Sequence, residues 1–208
     1  MYILYHFPFS QHGRRVVALL EEARIPYELR VVDMASGQHM SDDFRKINPN
    51  HQVPVLIDGD LTLTESNAIL RYLCTQHDLV EWYPRAADSR AQVEQWLDWN
   101  QCRLGPAVVD IVLNKVFLGP NGDASAIERG ERRLADVAPV LEARLSRSAH
   151  VAGDTPTIAD LSIASNLTQL YLADASPKTP ATVAWYRKME ALSGVRASCA
   201  PMQAKTKG

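Results

Sequence analysis

What most limits the fold of this chain is a change of hydrophobic period part-way along it. Up to about Thr75, short strand-like runs alternate with helical spacing; after about Ser89 only helical spacing is left. Tyr2-Ile3-Leu4-Tyr5 is a short strand run. Val16, Val17, Leu19, Leu20 and Ala23 then predict a helix over Gly13 to Arg24, which Pro26 stops. Tyr27 to Val32 alternates as a second strand, and Ser41 is placed to cap a short helix over Asp42 to Ile47. Val53 to Ile57 and Leu61 to Leu63 flank Asp58-Gly59-Asp60, which predicts a hairpin. Thr64 is expected to cap a further helix running through Thr75. The order β-α-β-α-β-β-α requires a small mixed sheet, with the early βαβ unit parallel and right-handed.

The second part reads as all-helical. Ser89 to Phe117 is a long helix that Gly105-Pro106 should kink. Further helices are expected over Ala124 to Leu145, Thr157 to Leu172 and Ala181 to Leu192, then a loosely held tail over Ala197 to Gly208. The fold class is therefore an α/β domain followed by an all-α domain. The expected division is a first domain at 1–77, a linker at 78–88 and a helical domain at 89–208.

Composition narrows the function. Apolar residues make up 46% of the 208, enough for a packed core, and a net charge of −2 argues against a dedicated nucleic-acid binder. No apolar run approaches the roughly 20 residues that cross a bilayer, and Met1 to Ser10 does not read as a signal peptide. Cys74, Cys102 and Cys199 are far apart and form neither a CxxC nor a zinc spacing, so the expectation is free thiols, a reducing cytoplasm and no metal. Walker loops, dinucleotide glycine patterns and nucleophile elbows are missing from the sequence.

Three segments could carry chemistry. At Pro8-Phe9-Ser10-Gln11-His12-Gly13-Arg14-Arg15, a hydroxyl sits where a strand gives way to a helix. Ser10 is either an N-cap only, or also a donor to an anion resting on the helix end. At Val53-Pro54, the proline either opens a strand in the ordinary trans form or sits in a cis bond that turns the Val53 backbone outward, where a short peptide could pair with it. At Thr64-Glu65-Ser66, a second helix start offers N–H groups and a hydroxyl for a carboxylate. Glu65 either complements the helix dipole or accepts a ligand ammonium. Together the three suit a small anionic peptide with a thiol in its middle.

The sequence resembles the cytosolic glutathione transferases, with a theta-like character. The resemblance is carried by Ile25 to Asp33, Gly37-Gln38-His39-Met40-Ser41-Asp42, Asn48-Pro49, Val53-Pro54-Val55-Leu56 and Asp58 to Ser66, and more weakly by Trp82-Tyr83-Pro84 and Thr157 to Leu161. It implies a thioredoxin-like first domain, a helical-bundle second domain, a homodimer, and glutathione as co-substrate with no further cofactor. It implies that Ser10 hydrogen-bonds the glutathione sulfur, that Pro54 is cis, that the Val53 backbone pairs with the tripeptide, and that Glu65 and Ser66 hold its γ-glutamyl head. It puts His39 near the glycyl end and His51 and Gln52 beside the proline. His12-Gly13 departs from the family, which often has proline or cysteine there; His12 is either a solvated loop residue or a charge near the sulfur. Asn100, Arg103 and Phe117 are the candidate wall of an apolar pocket for a small hydrophobic electrophile. A glutathione-dependent dehalogenase, a peroxidase and a non-catalytic scaffold are the rival readings. Thr157 and Asp160 fit the family's capping box, with a structural role. His6, His77 and His150 read as structural or surface residues, and Trp96, Trp99 and Trp185 as core.

Overall fold

A computed structural model describes residues 1–206 and, in the last helix, side chains as far as Met202. The chain divides into two compact units, one formed by 1–79 with 191–208, the other by 80–190.

The first unit contains strands β1 (Tyr2–His6), β2 (Tyr27–Val31), β3 (Val55–Asp58) and β4 (Leu61–Leu63) and helices α1 (Gln11–Glu22), α2 (Asp42–Ile47) and α3 (Ser66–Gln76). The sheet order is β2-β1-β3-β4, with β1 and β2 parallel and the β1–β3 and β3–β4 pairs antiparallel. The expected βαβαββα order and mixed sheet are what the chain forms. Leu4, Val55 and Leu56 from the sheet and Val16, Leu19, Leu20, Ile69, Leu70 and Leu73 from the helices are buried, the apolar stripes that sequence periodicity picks out. Ser41 caps α2 as expected, its Oγ accepting the Phe44 N–H at 3.2 Å.

Two expectations for this unit need correction. Thr64 does not cap α3: the cap position is Glu65, at φ 63°, with no side-chain bond to the helix end. The tail is not loosely held either. Ser193–Thr206 forms helix α9, with Val195, Ser198, Cys199 and Met202 buried; 207–208 lie outside the described residues. Helix α9 lies against α1. A Cβ on Gly194 would stand 2.1 Å from the Ala18 carbonyl oxygen, and the Glu22 carboxylate accepts from the Gly194 N–H at 2.6 Å and the Ser193 hydroxyl at 2.9 Å. The last helix thus belongs to the first unit, not to the helical domain expected at 89–208.

The second unit is helical: α4 (Ala87–Trp99), α5 (Gly105–Val112), α6 (Ala124–Leu145), α7 (Ile158–Tyr171) and α8 (Pro180–Ala191). The break expected at Gly105-Pro106 takes the form of a π-helical turn, Asn100–Leu104, just before the proline, and a second π turn, Leu113–Phe117, follows α5. The wider π turn accommodates a residue that cannot donate to the ladder. Much of the stretch read as a linker is tied to α4: the Tyr83 hydroxyl donates to Glu94, and the Arg90 guanidinium lies 4.7 Å from the Tyr83 ring centre while its Nε donates to the Pro84 carbonyl at 2.8 Å. The capping box at α7 is formed: Thr157 accepts from the Asp160 N–H, and Asp160 Oδ2 accepts from the Thr157 N–H at 2.9 Å. Trp96 and Trp185 are buried, as read, and Trp99 packs edge-on against Trp96. No helix among the described residues is long and apolar enough to cross a membrane.

Candidate functional site

Strand register brings the three candidate segments to one end of the sheet. Tyr5 pairs with Val55, and Leu56 with Leu63. Carried a residue or two beyond the ladders, the same registers set Phe7 level with Val53 and Pro54 level with Glu65. The exit of β1 toward Ser10, the entry of β3 and the exit of β4 toward Ser66 therefore share an edge. Arg15, fully buried on α1, reaches across by donating Nη1–H to Asn67 Oδ1 at 3.3 Å, tying α1 to the first turn of α3.

Ser10 is the N-cap of α1. Its backbone is extended (φ −80°, ψ 116°), and its Oγ accepts the Gly13 N–H at 3.2 Å. The cap uses a lone pair only, so the half-buried hydroxyl keeps its proton for an anion. The turn beneath is fixed by Ser10 N–H donating to the Phe7 carbonyl at 2.8 Å and by Arg14 Nη1 reaching the Pro8 carbonyl at 3.4 Å.

The Val53-Pro54 peptide is cis. The paired part of β3 begins at Val55, so Val53 and Pro54 lie just outside the ladder. The Val53 side chain is anchored in an apolar cluster with Val32, Phe44 and Val55. The loop before it is stitched by Asn48, a buried residue that the sequence marks only as a helix end. Its Nδ2 donates to the Gln52 carbonyl at 2.7 Å, its Oδ1 accepts the Asn50 N–H at 3.0 Å, and its carbonyl accepts the His51 N–H at 3.0 Å.

His39 and His51 are brought together. His51 Nδ1 lies 3.0 Å from the His39 carbonyl oxygen, while Arg45 Nε donates to His51 Nε2 at 3.3 Å. That arrangement requires the tautomer with the proton on Nδ1. His39 Nδ1 is buried with no hydrogen-bond partner. Gln52 is exposed, as is Glu65, while Ser66 is buried at the first position of α3. Glu65 has a left-handed backbone, φ 63°, uncommon for a residue with a side chain.

His12 is neither a loop residue nor a charge. It lies in the first turn of α1, and burial, helped by Arg15 and then Arg14, pushes its imidazole down to about 3, so it is neutral at physiological pH. Asn100 is interior: it is buried, and its Oδ1 accepts from Asn166 Nδ2 at 2.8 Å, so its amide serves the core of the helical unit rather than a pocket wall. Arg103 and Phe117 are exposed, one in each π turn. Among the described residues, no group of three or more His, Cys, Asp or Glu side chains could hold a metal ion. His6, read as a structural or surface residue, is buried, on the same strand face as Tyr2 and Leu4.

The sequence model "Glutathione S-transferase, N-terminal domain" matches residues 4–81, and "Glutathione S-transferase, C-terminal domain" matches 104–193. Glutathione S-transferase theta-2 of Rattus norvegicus is 33% identical over 198 residues, covering 92% of this chain and 81% of the relative. The chain belongs to the glutathione transferase family. Likeness within the family is not confined to the theta class: glutathione S-transferase 3 of Zea mays is 36% identical over 186 residues, covering 87% of this chain and 82% of that one. Glutathione transferase F2 of Populus trichocarpa superposes with a TM-score of 0.87 at 27% identity, with all of both chains covered. The thioredoxin-like fold expected for the first unit and the helical second unit are those of the family.

Proposed function

We propose that this chain is a glutathione S-transferase in which Ser10 stabilises the glutathione thiolate for attack on a small electrophile. The observation that carries this reading is the Ser10 cap, whose lone pair is taken by the Gly13 N–H and whose hydroxyl proton is left to donate. A free thiol has a pKa of about 8.5. Lowering it by about two units requires roughly 2.7 kcal/mol of preferential thiolate stabilisation. A hydroxyl bonded to an anion supplies about 1.5–3 kcal/mol, and the positive end of α1 adds to it. The Val53 backbone is the partner for the tripeptide's middle, Glu65 and Ser66 for its γ-glutamyl head and His39 for its glycyl end, with His51 and Gln52 the polar groups beside Pro54. His12 contributes as a neutral side chain.

The thiolate attacks an electrophilic carbon, the new C–S bond forming as the leaving group departs or a ring or double bond opens. A homodimer with a cytoplasmic detoxification role completes the reading.

The test follows thiolate ultraviolet absorbance of bound glutathione against pH, in the wild type and in Ser10→Ala. Ionisation well below the free value, restored toward it by Ser10→Ala with glutathione still bound, supports the proposal. Binding with an unshifted thiol in the wild type refutes it and leaves a carrier; absence of binding leaves a scaffold.

A further inference from the structure

The buried His6 ring and Gly13 make a contact that the binding and thiolate roles above do not use. His6 closes β1, held there by the Val32 N–H donating to its carbonyl at 2.7 Å. Its side chain points inward and is 2% exposed. Gly13 lies in the first turn of α1, where glycine weakens a helix for want of side-chain restriction. Its presence has a steric reason: a Cβ there would stand 2.2 Å from His6 Nδ1, 3.0 Å from Cε1 and 3.3 Å from Cγ. All three are atoms of a rigid ring fixed on a strand, so the neighbour cannot give way. Gly13 is also the residue whose N–H is bonded to Ser10 Oγ.

From these contacts we infer that His6 is a positioning residue for Ser10, its ring setting, through Gly13, the height of the first turn of α1 and hence where the Ser10 hydroxyl meets a bound thiol. The ring suits this role. Its Nδ1 has no hydrogen-bond partner, so the edge turned to Gly13 is held by packing and not by a bond that could draw it aside. Burial, and then Arg14, pushes the imidazole down to about 4, so it stays neutral where the enzyme would work. The inference rests on Ser10 being the thiol's donor.

The experiment measures the thiol pKa of bound glutathione, and the affinity for S-methylglutathione, which has no thiol to ionise. The variants are Ser10→Ala, Gly13→Ala, His6→Ala and the double His6→Ala/Gly13→Ala. Gly13→Ala is expected to raise the bound thiol's pKa by about one unit, a tenfold fall in its ionisation constant and about a threefold loss of thiolate at pH 7, with S-methylglutathione affinity little changed. His6→Ala is expected to raise it as well, and the double variant, with room for the new methyl, to lie closer to wild type than Gly13→Ala does. Should Gly13→Ala fail to fold, His6→Ala, which introduces no clash, decides alone. If Ser10→Ala raises the thiol pKa while neither Gly13→Ala nor His6→Ala moves it, the positioning role is overturned and the Ser10 reading stands. If Ser10→Ala itself leaves the pKa unmoved, the Ser10 reading fails and this inference falls with it.

Discussion

Removing the Asp160 carboxylate should damage the fold far more than the binding of glutathione. Asp160 is fully buried in the helical unit, and its two oxygens are shared between four donors. Oδ1 accepts from the Val151 N–H at 3.0 Å and Trp185 Nε1–H at 2.9 Å. Oδ2 accepts from the Thr157 N–H at 2.9 Å and the Thr157 hydroxyl at 3.0 Å. His150 Nδ1 lies 3.3 Å from Oδ1. In Asp160→Ala these donors lose their acceptor in a site closed to water. Breaking a buried charged arrangement by deleting one partner costs about 3–5 kcal/mol, a large share of the ~5–15 kcal/mol typical of a whole protein. With a urea slope of about 2–3 kcal/mol per molar, the unfolding midpoint should fall by roughly 1–2.5 M. Trp185 gives a fluorescence readout at the site itself. Asp160→Asn should cost less, about 1–3 kcal/mol: its oxygen can still serve one pair of donors, and the Thr157 hydroxyl can turn to accept from the amide, leaving one N–H unanswered. The reasoning is refuted if Asp160→Ala keeps its urea midpoint within about 0.3 M of wild type, or if it folds normally and loses glutathione binding.

Glu142 predicts an acid-sensitive contact. Burial opposes its charge, but the Ala181 and Thr182 N–H groups and the Thr179 and Thr182 hydroxyls outweigh that and bring its pKa down to about 2. A lowered folded pKa contributes stability above the unfolded value near 4.5 that is lost as pH falls toward 2, so wild type and Glu142→Gln should differ in urea midpoint at pH 6 and converge near pH 2. Gly194→Ala should destabilise by about 1–3 kcal/mol through overpacking of α9 on α1, read as a lower thermal midpoint; an unchanged midpoint would deny the close approach at Ala18. Of the three cysteines only Cys102 is exposed, and burial pushes the Cys74 thiol up to about 12. A thiol reagent should therefore label one cysteine per native chain, identified as Cys102 by mass.

The parts legible in the sequence are those set by local chemistry. Ser41 before two acidic residues, the alternation that defines the strands and the Thr157–Asp160 pair each announce themselves within a few residues. What local pattern could not give came from distant contacts. Helix α9 contains Gly194 and an internal Pro201, a poor helical sequence on propensity alone; it forms because Gly194 lets it close on α1. Thr64 has the chemistry of a cap, yet the turn out of β4 gives that place to Glu65. A place for Asn100 on a pocket wall followed from the need for an electrophile site and not from its spacing, and the bond from Asn166, 66 residues away, shows that its amide faces inward. The role of Asn48 was hidden for a different reason: an asparagine before a proline reads as a terminator, whatever its side chain holds.

The return of α9 to the first unit has a consequence for how the chain is made. The sheet end that presents Ser10, Pro54 and Ser66 leaves the ribosome with residues 1–79, but α1 stays without α9 until Ser193–Thr206 has followed the whole helical unit out. The helical unit, 80–190, is continuous in sequence and is complete before that moment. The site-bearing unit is therefore the last to close although it was the first begun, and a nascent or truncated chain ending before Ser193 carries the Ala18–Glu22 face of α1 bare, a surface for chaperones and proteases to read as unfinished.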